Sequence, residues 1–163
     1  MQTEYISPVG TLAITAEGGC ITELVFGREA AKKITIEDTT ENAAVLEKCI
    51  SELDAYFAGT LREFTVPVDV TRAKSSTEFR RRVWAKLMSI PYGETISYKE
   101  LAQRVDNPAA IRAVGGANHN NPISIIIPCH RVIGANDGLT GYGGGLENKA
   151  VLLRLEGNPV VTA

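Results

Sequence analysis

Around residues 67–74 the chain changes character, and that change limits the folds open to it. Before it come three short β-prone runs, Thr3 to Ile6, Leu12 to Thr15 and Ile21 to Phe26. Pro8, Gly10 and Gly18-Gly19 separate them and suit hairpin turns. A helix from about Glu41 to Ala58 follows: Val45, Leu46, Cys49, Ile50, Leu53, Tyr56 and Phe57 recur at the helical period, and Gly59 supplies a stop. Beyond residue 74 helical signals crowd together. Ser75 with Glu78 forms a capping box for a helix to about Ser89, with Phe79, Val83, Trp84 and Leu87 on one face. Ser97 with Glu100 forms a second, for a short helix from Tyr98 to near Asp106. Pro108 stands where a first helical residue belongs, so a third helix is expected through Ala113 towards Gly116. Two helices joined by Asp106-Asn107-Pro108 make a helix-turn-helix pattern. The expected class is α+β. A small N-terminal sheet-plus-helix unit (residues 1–70) is linked through 67–74 to a mainly helical, winged-helix-like unit (75–163).

Charge divides at the same place. Residues 1–70 hold five Lys/Arg against twelve Asp/Glu, and residues 71–163 hold twelve against seven. The overall charge of −2 therefore conceals a basic second half that could face a polyanion, the alternative being chance scatter of surface charge. Hydrophobic residues at 44% and charged residues at 22% describe an ordinary soluble globular protein with no membrane partner. No apolar stretch approaches the roughly 18 residues a membrane span needs. The start, Met1 to Tyr5, lacks the features of a signal peptide. Three cysteines without paired spacing argue against a disulfide framework and for a reducing cytoplasm; Cys20 and Cys49 read as structural.

The third helix carries almost no side-chain bulk: Ala109, Ala110, Ala113, Gly115, Gly116 and Ala117 dominate it. A helix that reads the major groove needs polar side chains for base edges, and this one offers only Arg112 and Asn118. Close, sequence-independent approach along a minor groove suits it better. Helix–helix packing through the small residues is the other reading.

Pro128-Cys129-His130-Arg131-Val132 follows an apolar run, Ile123-Ser124-Ile125-Ile126-Ile127, that reads as a buried strand. A sheltered cysteine beside a histidine is a candidate nucleophile, and equally a candidate buried core thiol. On an extended chain His130 would point away from Cys129.

These five residues resemble the active-site signature of the O6-alkylguanine-DNA alkyltransferases. The likeness extends to Tyr92-Gly93-Glu94-Thr95-Ile96-Ser97-Tyr98 with Leu101-Ala102, to Ala113-Val114-Gly115-Gly116-Ala117, to Asn121-Pro122, and to Gly141-Tyr142 with Gly144-Gly145. It is strong over about residues 75–157 and loose before residue 70. The resemblance implies single-turnover DNA repair, moving an alkyl group from O6 of guanine, and also O4 of thymine, to Cys129. It further implies a bridging water to His130, Glu156 holding that histidine, Tyr98 protonating the leaving guanine, and Asn121 bracing the turn beneath the cysteine. Ala113 and Gly116 would lie against the DNA backbone with Tyr98 beside them, Arg112 would fill the gap left by the flipped nucleotide, and Tyr142, Gly143 and Gly144 would hold the base. The partner would be double-stranded DNA containing O6-alkylguanine, met in its minor groove by a monomer, with no cofactor and no metal. Gly143, Gly144 and Gly145 suggest a wall open to alkyl groups larger than methyl, the other reading being that they serve only backbone turns with positive φ. A salt bridge from Arg112 to Asp106 is the bland alternative for that arginine. For the whole chain the rival readings are a non-catalytic protein that binds alkylated DNA, a cysteine hydrolase, which would want a glycine-rich oxyanion turn, and a helix-turn-helix transcription factor, which would want a polar recognition helix.

Overall fold

A computed structural model describes residues 1–27, 39–134, 142 and 144–158. The first half is an antiparallel sheet of β1 (Gln2–Ser7), β2 (Gly10–Glu17) and β3 (Cys20–Phe26), covered by α1 (Thr40–Phe57). The strands and helix expected from the sequence all form. Thr39 starts α1 by accepting a hydrogen bond from the Asn42 N–H, and its buried stripe of Val45, Leu46, Cys49, Leu53 and Tyr56 lies over the sheet.

The second half comprises α2 (Glu78–Leu87), β4 (Ile96–Ser97), α3 (Tyr98–Arg104), α4 (Ile111–His119), a 3₁₀ turn (Cys129–Arg131), β5 (Val132–Ile133) and α5 (Leu146–Leu155). Ser97 caps α3 as expected, accepting from the Glu100 N–H. For α2 the cap is Thr77 rather than Ser75; the Ser75 hydroxyl donates instead to the Asn120 carbonyl at 3.0 Å. The turn between α3 and α4 spans residues 105–110 rather than three residues, and α4 begins at Ile111. Asp106 adopts a left-handed φ of 58° and the Ala110 N–H returns to the Asn107 carbonyl, so Pro108 lies in the turn, not in the helix.

The expected linker is not loose. Ile21 and residues 67–69 exchange backbone hydrogen bonds, Ile21 N to Pro67 O at 2.8 Å and Asp69 N to Ile21 O at 2.9 Å. Further along the same edge, Leu24 N donates to Pro122 O and Ser124 N to Leu24 O, both at 2.9 Å. The free edge of β3 therefore binds both halves together, and one hydrophobic cluster runs through both, from Leu12 and Leu53 to Trp84, Cys129 and Leu152. Burial of this edge satisfies peptide groups that would otherwise invite aggregation.

Residues 123–127 do not form the expected strand. Only Ile123 pairs, in an isolated bridge with Leu24, and the rest turns back on itself with Ile125 at φ 71°. Asn121 makes this possible: its Oδ1 accepts from the Ile123 N–H at 3.0 Å and its Nδ2 donates to the Ile127 carbonyl at 2.8 Å. A side-chain amide here replaces the ladder partners a strand would have used.

Candidate active site

Cys129 opens the 3₁₀ turn directly after that Asn121-braced loop and is 3% exposed. Because the backbone is coiled and not extended, Cys129 and His130 project about 120° apart, where a strand would set them on opposite faces. The Asn118 Nδ2 secures the Cys129 carbonyl at 3.2 Å. Burial pushes the Cys129 thiol up to about 11, an effect the Asn121 side chain, the charge of Lys149 and the backbone N–H groups of Cys129 and His130 only partly offset. A thiol so placed needs a base to become a nucleophile.

His130 is fully buried, and its Nε2 lies 2.7 Å from Glu156 Oε2. A carboxylate only accepts, so the shared proton belongs to Nε2, and in the neutral imidazole the lone pair is then left on Nδ1. That Nδ1 is buried with no hydrogen-bond partner among the described residues. Glu156 is also held by Arg131, whose Nε reaches Oε1 at 2.8 Å and whose Nη2 reaches Oε2 at 3.1 Å. Burial alone would raise the Glu156 carboxyl, but His130 and Arg131 outweigh it and bring the group down to about 2. The carboxylate and guanidinium form a neutral buried pair, which orients His130 without leaving an uncompensated charge.

Tyr142 is buried, its hydroxyl has no partner among the described residues, and burial and then the nearness of Cys129 hold that hydroxyl well above its ordinary ionisation range. Tyr98 is the first residue of α3, and the parallel pairing of Ile96 with Val132 and Ser97 with Ile133 sets it beside the strand that leaves the Cys129 turn. The structure thus gathers Cys129, His130, Glu156, Asn121 and Tyr142. Gly141 and Gly143 lie outside the described residues.

The wall at Gly144 is not open. A Cβ there would meet Phe26 Cε2 at 2.5 Å, and the same ring meets Tyr142 edge-on at 5.6 Å between centroids. An aromatic side chain from β3 fills the space at Gly144, whereas a Cβ at Gly145, with φ 93°, would meet nothing within 4 Å.

Arg112, Ala113, Gly116 and His119 lie on the outer side of α4, while Val114, Ala117 and Asn118 face inward. The Trp84 indole N–H fastens this helix to α2 by donating to the Ala117 carbonyl at 2.8 Å. A Cβ added at Gly115 or Gly116 would meet nothing within 4 Å. These glycines therefore do not serve internal packing; they keep an outer surface low. Arg112 is exposed, and among the described residues no ion pair joins it to Asp106.

Three partners escaped the sequence reading. Arg131 was part of the pentapeptide but had no assigned role. Lys149 is fully buried, donates to the Val132 carbonyl at 2.6 Å, and is lowered by burial to about 8, with Cys129 acting the other way. Its spacing from Leu152, Leu153 and Glu156 put a lysine on the inward face of α5, which was a readable signal. Tyr56 donates to Glu156 Oε2 at 2.6 Å from 100 residues away, and nothing local announced it. Among the described residues, no group of three or more His, Cys, Asp or Glu side chains is placed to hold a metal ion.

Two family models match the chain. Residues 2–70 match the ribonuclease-like domain of 6-O-methylguanine DNA methyltransferase, and residues 78–158 match its DNA binding domain. The chain belongs to this family. A methylated-DNA–protein-cysteine methyltransferase of Mycobacterium leprae is 48% identical over 157 residues, covering 96% of this chain and 92% of that protein. One from Methanosarcina acetivorans is 46% identical over 155 residues, covering 94% and 96%. The Mycobacterium tuberculosis OGT crystallised in complex with DNA superposes with a TM-score of 0.82 at 44% identity, covering 94% of this chain and 90% of that one. Like these methyltransferases, the chain repairs DNA by moving an alkyl group from the nucleic acid to one of its own cysteines.

Proposed function

We propose that Cys129 is the acceptor, that the transferred group comes from O6 of guanine (and O4 of thymine), and that each chain acts once. The observation that carries this is the orphaned, buried Nδ1 of His130, the residue next to the buried Cys129, with Nε2 committed to Glu156. The thiol proton passes to Nδ1 through one intervening water, and the sulfur lone pair attacks the alkyl carbon. As the carbon–sulfur bond forms, the carbon–O6 bond breaks, and its electron pair goes to the guanine. Tyr98 gives its phenolic proton to N3 of that guanine, and the proton on His130 later restores the tyrosine through solvent. The thioether product resists hydrolysis, so the reaction is stoichiometric.

O6 lies inside the duplex, and unstacking the nucleotide costs a few kcal/mol. The smooth outer face of α4 supports a minor-groove approach with little dependence on sequence, Ala113 and Gly116 lying close to the backbone and Tyr98 at its edge. Arg112, exposed and unpaired with Asp106, enters the gap left by the flipped nucleotide. Tyr142 with Gly143 and Gly144 binds the extruded base. The chain acts as a monomer, without cofactor, in the cytoplasm, where Cys129 stays reduced.

The test is to incubate the protein with duplex DNA carrying labelled O6-methylguanine and to follow label and peptide mass. One equivalent should move to the peptide containing Cys129. The Cys129→Ala variant should bind the duplex with near-native affinity and take no label. Label on another cysteine, or repeated turnover, would refute the assignment.

A further inference from the structure

Glu156 is the C-cap of α5, followed by Gly157 at φ 75°, so its own helix does little to fix the carboxylate. Arg131 is adjacent in sequence to His130 and travels with it. The remaining hold on the carboxylate comes from elsewhere in the chain. Its Oε2 receives His130 Nε2 at 2.7 Å, Arg131 Nη2 at 3.1 Å and the Tyr56 hydroxyl at 2.6 Å. Tyr56 belongs to α1, in the first half of the molecule, and is fully buried.

We infer that Tyr56 is a positioning residue for alkyl transfer: its hydroxyl fixes Glu156 so that His130 keeps its proton on Nε2 and offers a bare Nδ1 to Cys129. This deepens the reading of Cys129 as acceptor and rests on it.

Tyr56 is itself rigidly placed. Its ring lies edge-on to Phe57 at 5.2 Å, tilted against Phe64 at 5.4 Å and edge-on to Tyr92 at 6.4 Å between centroids. Burial, and then the Glu156 charge, hold its hydroxyl well above the usual tyrosine range, so it remains a donor and cannot itself take the proton. With that donor in place, rotating the carboxylate away from His130 would strand a buried hydroxyl, which costs more than the hydrogen bond is worth in water. Without it, the carboxylate has one fewer restraint, and His130 can exchange Nε2–H for Nδ1–H, the tautomer that cannot accept a proton from the thiol. The N-terminal half thus supplies part of the catalytic centre, through a contact that no local sequence pattern encodes.

The test uses the full chain labelled with ¹⁵N-histidine, which has only two histidines, His119 and His130. Long-range ¹⁵N–¹H spectra should show His130 with a bare Nδ1 in the native chain and a mixture of tautomers in Tyr56→Phe. Transfer from a free O6-benzylguanine base should slow about tenfold in that variant, the size of one hydrogen bond to a charged group, with affinity for duplex DNA unchanged. Tyr92→Phe is the control. It removes a hydroxyl from the same aromatic cluster, one that donates to the Leu155 carbonyl and not to Glu156, and should react at close to the native rate. The inference fails if Tyr56→Phe reacts like the native chain with an unaltered imidazole spectrum, or if both variants slow equally. Should Tyr56→Phe not fold, the native spectrum still decides, because an Nδ1–H tautomer there overturns the inference. A native chain that transfers no group to Cys129 would overturn the acceptor assignment instead.

Discussion

Glu156→Gln changes no volume yet should be among the most damaging single substitutions in the chain. The carboxylate accepts four hydrogen bonds, one at Oε1 and three at Oε2. A glutamine accepts through one oxygen only, and its NH₂ would face an arginine N–H. The size of the loss follows from the titration of the native group. Its carboxyl lies at about 2 in the folded chain against an ordinary 4.5, and at about 1.4 kcal/mol per unit this difference is worth roughly 3 kcal/mol. A second route agrees: removing one partner of a buried pair and leaving the other, here Arg131, typically costs about 3–5 kcal/mol. Because the folded pKa is depressed, the stabilisation is fully present above the ordinary value and is lost as pH falls from about 4.5 towards 2. Urea unfolding of both proteins at neutral pH should therefore show a gap of about 3 kcal/mol with equal m-values. The gap should shrink to about half or less near pH 3, since the native carboxylate has by then lost much of its advantage. A gap below about 1 kcal/mol at neutral pH, or one that does not change with acid, would refute the reasoning.

Alkylating Cys129 should lower the melting temperature, because the residue is only 3% exposed and an added methyl in a close-fitting site typically costs about 1–3 kcal/mol; calorimetry before and after one equivalent of substrate measures it. Arg112→Ala should slow repair of duplex DNA far more than reaction with a free O6-benzylguanine base, which needs no flipping; equal losses would make Arg112 a folding residue. Gly144→Ala should destabilise by about 1–3 kcal/mol through overpacking, since its Cβ would sit 2.5 Å from Phe26. Phe26→Ala in the same chain should relieve that clash, so a double-mutant cycle with no coupling would contradict the packing seen between β3 and Gly144.

Much of the architecture was readable without coordinates, because it depends on neighbours in sequence. The alternation and turn residues of the first 26 residues specify a hairpin sheet, and the stripe from Val45 to Tyr56 specifies α1. The Ser97 cap followed from a hydroxyl placed three residues before a helical amide. Where two local choices were equivalent the sequence did not discriminate: Ser75 and Thr77 both offer hydroxyls, and the choice of Thr77 follows from Ser75 being claimed by the Asn120 carbonyl. The run from Ile123 to Ile127 misleads for a related reason. Its composition fits a strand, but Asn121 supplies its hydrogen bonds locally and Ile125 takes a left-handed φ, a conformation that β-branched side chains resist and only surrounding structure can impose.

The candidate pair was legible in the sequence, since Cys129 and His130 are neighbours within one pentapeptide. The small-residue stripe of α4 was equally legible, but that Gly115 and Gly116 lie on an outer surface and not against another helix follows from the packing. Tertiary structure alone decided how the pair is tuned. Arg131 meets Glu156 across 25 residues, Lys149 meets Val132 across 17 and Tyr56 meets Glu156 across 100. It also placed Phe26 against Gly144. Periodicity and capping are written in hydrogen bonds between near neighbours, which composition and spacing reveal. A buried charge is tolerable only when its partners arrive together from separate elements, and their arrival depends on how those elements pack.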